Sequence, residues 1–171
     1  MELCDVYNEK GERTGRVLER SQPLAEGEYR LVVGVWIVNS KNEILITQRS
    51  PEKKFMPNKW ENTGGHVQAG ETGREAMVRE LAEETGIEAA PDELILFATT
   101  KRPSYLGEEY ILRKDVALEH VRLQPGETCD VRWVTEEIFD QMIDSGEIAS
   151  SLSIIQPEVR AAFKEALAKL A

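Results

Sequence analysis

Along the chain the spacing of apolar residues switches between a period of two and a period near 3.6, and the switches mark the predicted elements. Apolar and polar residues alternate around Cys4 to Tyr7 and again near Val17. Between them Asn8-Glu9-Lys10-Gly11 and Thr14-Gly15 supply turn chemistry, which predicts a hairpin over residues 3–20. Arg30 to Asn39 is continuously apolar and β-branched, the pattern of a strand buried on both faces. A turn over residues 39–42 leads into an alternating strand, Glu43 to Gln48. Pro51, Pro57 and the Gly64-Gly65 pair then read as a loop. A helix is predicted from Thr72 to Thr85, closed by Gly86, with Pro91 shortly after. Leu94 to Thr99 and Tyr110 to Leu118 read as strands joined by a loop holding Pro103 and Gly107. Asp130 to Val134 is a short strand, a helix begins at Thr135, and Pro157 to Leu170 is amphipathic at helical spacing. No repeat or low-complexity stretch divides this pattern. A single α/β domain over residues 1–171 is expected.

Charge changes the picture next. Asp and Glu number 31 against 21 Lys and Arg, a formal net charge of −10. Such a field repels nucleic acid and anionic membrane, so neither is an expected partner. An acidic protein can still act on phosphates if a bound cation supplies the positive charge. Cys4 and Cys129 make no disulfide framework, and the N-terminus shows no signal-peptide pattern. The longest apolar stretch, Leu31 to Val38, is too short to span a bilayer. The expectation is a cytoplasmic protein.

The helix over residues 72–85 carries the candidate chemistry. Glu80, Glu83 and Glu84 stand at i, i+3 and i+4, within an arc of about 100° on one face. Met77, Val78, Leu81, Ala82 and Thr85 take the other side and are expected to pack on the sheet. Like charges at this spacing oppose one another by a few tenths of a kcal/mol per pair. A hard divalent cation with oxygen ligands would relieve that opposition. The spacing alone is equally that of a solvated, charged helix face.

The segment Gly65 to Ile87, GHVQAGETGREAMVRELAEETGI, matches the pattern G-x5-E-x7-R-E-U-x-E-E-x-G-U at every fixed position. A chance match to its seven single-residue positions is on the order of one in 10⁹ at average residue frequencies. The segment resembles the Nudix box, and the approach to it, with Pro57, Trp60, Gly64 and Gly65, is similar too. The resemblance implies an α/β/α fold, a mixed β-sheet sandwiched between helices, with the box (residues 65–87) forming a catalytic loop-helix-loop. It implies that Glu80, Glu83 and Glu84 are metal-site carboxylates and that one of them, most often at the Glu80 position, acts as general base. Gly65 would lend its carbonyl to the metal, Glu71 would be a further or outer ligand, and Arg79 would orient the carboxylates. The implied cofactor is Mg²⁺, with Mn²⁺ as a substitute. The implied reaction is attack of water on a phosphoanhydride bond in a small-molecule nucleoside diphosphate linked to another moiety. A homodimer is left open.

The N-terminal half also resembles a Nudix subgroup similar to isopentenyl-diphosphate isomerases, through DVYNEKGERTG, LVVGVWIVN and LITQRSPEKKFMPNKWENTGGH. The isomerase is the competing enzyme. Its catalytic cysteine would fall where this chain reads Trp60-Glu-Asn-Thr-Gly-Gly-His66, and no cysteine lies between Cys4 and Cys129. A non-catalytic, nucleotide-binding Nudix domain is a third reading, set against the intact box. Gln68 stands where many relatives carry glutamate, and His66 is a candidate ligand or base against the plainer reading of a loop residue. For the substrate, Trp36, Phe55, Trp60, Tyr105 and Tyr110 are candidates to stack a base, although each also reads as core or scaffold. Glu108 and Glu109 are candidates to reach the metal site from between the two later strands.

Overall fold

The computed structural model describes residues 1–170. Its elements are β1 (Leu3–Tyr7), β2 (Arg13–Glu19), β3 (Arg30–Val38), β4 (Ile44–Arg49), β5 (Trp60–Glu61), β6 (Thr63–His66), α1 (Gly73–Thr85), β7 (Ile95–Lys101), β8 (Tyr105–Arg113), β9 (Thr128–Val134), α2 (Glu136–Ser145) and α3 (Pro157–Leu170). Strand β3 organises the molecule. It pairs in parallel with β8 from Arg30↔Tyr105 to Val38↔Arg113. On its other side the N-terminal half pairs antiparallel with β6, and only its end, at Val38↔Ile44, meets β4. The main sheet runs β5-β4-β3-β8-β7, with β6 joined to β3 and β9 to β4.

The period of two along β3 sorts its side chains into two cores. Val33, Val35 and Ile37 pack with Met77 and Leu81 of α1, whereas Trp36 and Val38 pack with Phe139 of α2 and Phe163 of α3. Helices thus cover both faces of a mixed sheet, the expected α/β/α arrangement. Trp36 meets Phe139 edge-on at 4.9 Å between ring centres, a geometry aromatic pairs favour. On α1 the buried strip is Gly73, Ala76, Met77, Leu81 and Thr85. Ala82, expected on this strip, is exposed, because it lies too far round the helix from the line through Met77 and Leu81.

The hairpin β1–β2 forms its own two-stranded sheet, docked by backbone bonds between Tyr7 and Tyr29. Two sequence expectations change. The segment read as a loop up to Gly65 contains β5 and β6, since Thr63 to His66 satisfies its backbone against β3. The strand expected at Tyr110 to Leu118 is β8, starting at Tyr105 and ending at Arg113. Gly107 therefore lies inside a strand, where the parallel pairing with Val32 holds it. Among the described residues no helix is long and apolar enough to cross a membrane.

Candidate active site

Helix α1 is fixed at both ends. Thr72 caps it, accepting from the Glu75 backbone, while the Glu75 carboxylate accepts from the Thr72 N–H at 2.8 Å. Gly86 ends it in the left-handed region at φ 72°. The acidic face is thereby held against β6. There Gly64 and Gly65 allow an approach that no side chain permits. A Cβ on Gly65 would sit 2.3 Å from the Glu80 carboxylate, and one on Gly64 would sit 2.5 Å from the Val33 carbonyl oxygen.

Arg79 ties the parts together. Its Nε donates to Glu71 Oε1 at 2.7 Å, and its Nη2 to Glu71 Oε2 at 3.0 Å and to the His66 carbonyl at 3.1 Å. Its Nη1 donates to Glu80 Oε1 at 2.9 Å and, more weakly, to Glu83 Oε2 at 3.4 Å. The planar guanidinium suits this fork. It holds the Glu71 carboxyl below the usual carboxylate range, helped by the Gln68 N–H at 3.0 Å. Glu71 is thus spent on positioning the loop and Arg79.

Two hollows meet at this face. One, the outer hollow, about 710 Å³, is bordered by Glu80, Glu83, Glu84 and Arg79, with Gln68 and the N-terminal residues around it. The other, the inner cavity, about 620 Å³, runs from Glu84 past Gly65 and His66 to Tyr105 and Glu109. Glu84 borders both. Burial pushes its carboxyl up to about 8, with the nearby charges of Glu80, Glu61 and Glu127 acting in the same direction. Burial also raises Glu80, although Arg79 opposes the shift. A crowded, partly desolvated set of carboxylate oxygens is the donor chemistry a hard divalent cation takes. Among the described residues no three acidic, imidazole or thiol groups already form a closed cage. Mg²⁺ commonly keeps water and substrate phosphates in several of its positions, so an open, half-built site suits it.

The strand parity separates Glu108 from Glu109. Glu108 lies on the α1 face, where it accepts from the Tyr110 hydroxyl beside Gly73. Glu109 faces the inner cavity, where it accepts from Ser153 Oγ and burial raises its carboxyl. Tyr105 borders the same cavity, its ring edge-on to His66 at 5.7 Å. Burial holds His66 down to about 4, which leaves its ring uncharged at neutral pH, and its buried Nε2 has no hydrogen-bond partner among the described residues. Trp60 is placed elsewhere: it is buried in the α2–α3 core with the Arg132 guanidinium over its ring at 4.2 Å. Of the remaining aromatics, Trp36 and Phe55 border the cavity, whereas Tyr110 is buried in the α1 core. Sequence reading missed Glu61, Asn62 and Arg102 at the inner cavity, and Arg20, which borders both hollows. No local motif marks them, because they converge only through tertiary pairing.

A family model described as NUDIX domain matches residues 28–150. The chain belongs to the Nudix family. An uncharacterized Nudix hydrolase of Listeria monocytogenes is 38% identical over 153 residues, covering 86% of this chain and 88% of that protein. A crystal structure of a Deinococcus radiodurans protein matches with a TM-score of 0.73 at 30% identity, covering 95% of this chain and 99% of that one. An isopentenyl-diphosphate Delta-isomerase of Escherichia coli is 35% identical over 91 residues, 53% of this chain and 50% of the isomerase. The chain is a Nudix hydrolase by these likenesses, and the isomerase likeness covers about half of either protein. Nudix hydrolases act on small molecules and generally use divalent metal ions.

Proposed function

We propose that this Nudix hydrolase cleaves a phosphoanhydride bond in a small nucleoside diphosphate linked to another moiety, with Mg²⁺ as the preferred ion and Mn²⁺ as a substitute. The observation that carries this reading is the Glu80 carboxylate, seated against Gly65 and tied by Arg79, beside Glu84 at the mouth of a cavity of about 620 Å³. Glu80, Glu84 and the Gly65 carbonyl would hold the ion, with exposed Glu83 at the rim and Glu71 acting through Arg79. When bound, the ion neutralises charge on the phosphate oxygens.

The protein's own groups do the rest. Water attacks phosphorus, the bridging P–O bond breaks, and a Glu80 carboxylate oxygen accepts the proton of the attacking water. Burial raises its affinity for protons above that of an ordinary carboxylate, the direction a general base needs. Gly65 leaves room for Glu80, and Arg79 fixes its direction, so the nucleophile is positioned before reaction. Tyr105 and Glu109 line the wall available to the rest of the substrate. Release of phosphate or a nucleoside monophosphate from a panel of nucleotide sugars, dinucleotides and nucleoside di- and triphosphates tests this, with Mg²⁺ and with excess chelator. Turnover that persists undiminished in chelator would defeat the metal assignment.

The half-length likeness to the isomerase favours a second reading, double-bond migration in isopentenyl diphosphate. Neither cavity is lined by a thiol: Cys4 is buried within β1, and Cys129 is exposed on β9 beside Gln48. No migration is expected when the purified protein is given isopentenyl diphosphate and Mg²⁺, with proton exchange followed by NMR.

A further inference from the structure

The hydrolase reading leaves an electrostatic difficulty. A diphosphate approaching this site meets Glu80, Glu83 and Glu84, and the protein carries a net charge of −10. The basic side chains bordering the two hollows, among the described residues, are Arg20, Arg49, Arg79 and Arg102. Two of these are consumed by the fold. Arg79 is bonded to Glu71, Glu80 and the His66 carbonyl. Arg49 is bonded to Glu61 at 2.8 Å and to the carbonyls of Phe55 and Met56. Arg102 borders only the inner cavity, near Glu109, whose ionised form it favours.

Arg20 is different. It and Glu84 are the two residues that border both hollows, so it stands at their junction, opposite the acidic helix. It comes from the end of the N-terminal hairpin, outside the segment the Nudix family model matches. Its backbone is rigidly mounted. The buried Arg30 guanidinium donates to the Glu19 and Gln22 carbonyls on either side of it, and the Arg20 N–H donates to the Glu2 carbonyl at 2.9 Å. The hairpin in turn is bolted to the box: the Ala69 N–H donates to the Leu3 carbonyl at 2.8 Å, the Gly70 N–H to the Asp5 carboxylate, and Arg13 to the Glu71 carbonyl. Yet the Arg20 side chain is 55% exposed, and its one ion pair is with Glu2 at 3.1 Å. A fixed mount with an exposed guanidinium, held by a single exchangeable ion pair among the described residues, suits a bidentate phosphate contact.

We propose that Arg20 is the phosphate-positioning residue of this enzyme, and that Glu2 occupies its guanidinium until a substrate phosphate displaces it. This rests on the reading that the site takes a diphosphate. A charge-assisted contact of this kind corresponds to roughly tenfold or more in affinity.

The test uses the full chain and inorganic pyrophosphate as probe, with binding measured calorimetrically in metal-free buffer and again with Mg²⁺. R20Q should weaken binding about tenfold or more, and R20K should recover part of it. R16Q, whose side chain pairs with Glu28 away from both hollows, should bind as wild type. E2Q separates a phosphate contact from a merely structural ion pair. It breaks the same pair as R20Q, yet it should tighten binding, because a competitor for Arg20 is gone. On a turned-over substrate, R20Q should raise KM about tenfold while kcat stays within about twofold. Equal pyrophosphate affinity in wild type and R20Q, or weakening in both R20Q and E2Q, overturns the assignment. Arg20-dependent pyrophosphate binding without hydrolysis of any diphosphate would instead overturn the hydrolase reading and leave Arg20 standing.

Discussion

At the scale of single residues the two adjacent glycines make different demands, and the difference is testable. A side chain on Gly65 would strike the end of the Glu80 side chain, which can swing away at small cost to the fold. A side chain on Gly64 would strike the Val33 carbonyl, which belongs to the sheet and cannot. G65A should therefore lose activity, at least tenfold in kcat, with a melting temperature near wild type. G64A should lower stability by about 1–3 kcal/mol, the usual cost of overpacking. At this size that is roughly 2–4 °C in melting temperature per kcal/mol. Thermal melts beside rate measurements decide it; a G65A protein with unchanged rate would show that Glu80 does not need its seat. The residues of the box were legible in the sequence because each must be one chemical type at one spacing. Glu61, Arg20 and Asn62 were not, because nothing local constrains them. Glu108 and Glu109 were legible only as a pair, and the register with β3 decides which faces the cavity: Gly34, opposite Glu109, leaves space for it.

At the scale of elements, α1 was readable nearly to the residue. Its start at Thr72, its end at Gly86 and its apolar strip are all local signals, and local signals survive folding. The edges of β8 were not, because the alternation near Gly107 is weak and the strand exists through nine paired positions with β3. The short strands β5 and β6 were missed for the same reason. Arg79 is what converts α1 from an acidic helix into part of a site, by joining it to His66 at the end of β6 and to the loop that carries Glu71. R79K should break the fork on Glu71, since an ammonium cannot bond both carboxylate oxygens and the His66 carbonyl in one plane. We expect kcat to fall by about tenfold or more while the capping box keeps α1 in place. Helical circular dichroism that is unchanged beside a reduced rate is the expected pair of results. A wild-type rate in R79K would mean that charge alone, without the planar geometry, holds the carboxylates.

At the scale of the whole molecule, the acidic site should leave its mark on global stability, and the sign follows from which state binds the proton. In the unfolded chain Glu84 titrates near its ordinary value of 4.5, whereas in the folded, metal-free protein burial and its acidic neighbours hold it at about 8. Between these values the folded state carries a proton that the unfolded state has lost. Stability from this group is therefore fully present below the unfolded value and is lost as pH rises through about 8. Glu80, Glu61 and Glu109, all raised by burial, act in the same direction. On the acid side His66 acts oppositely: burial holds it down to about 4, so stability falls as pH drops below the ordinary histidine range. Metal-free protein should thus be most stable in mild acid and weaken toward pH about 8–9. E84Q removes the largest alkaline contribution, so in chelator its stability should exceed that of wild type at high pH and differ little in mild acid. Bound Mg²⁺ does the proton's work of neutralising the carboxylates, and should flatten the alkaline decline in wild type but not in E84Q. Denaturant unfolding at about pH 6 and about pH 8.5, in chelator and in Mg²⁺, measures all of this. A decline that is equally steep in E84Q would place the pH-sensitive group elsewhere than Glu84, and a wild-type decline indifferent to Mg²⁺ would separate the α1 glutamates from the ion they are assigned to hold.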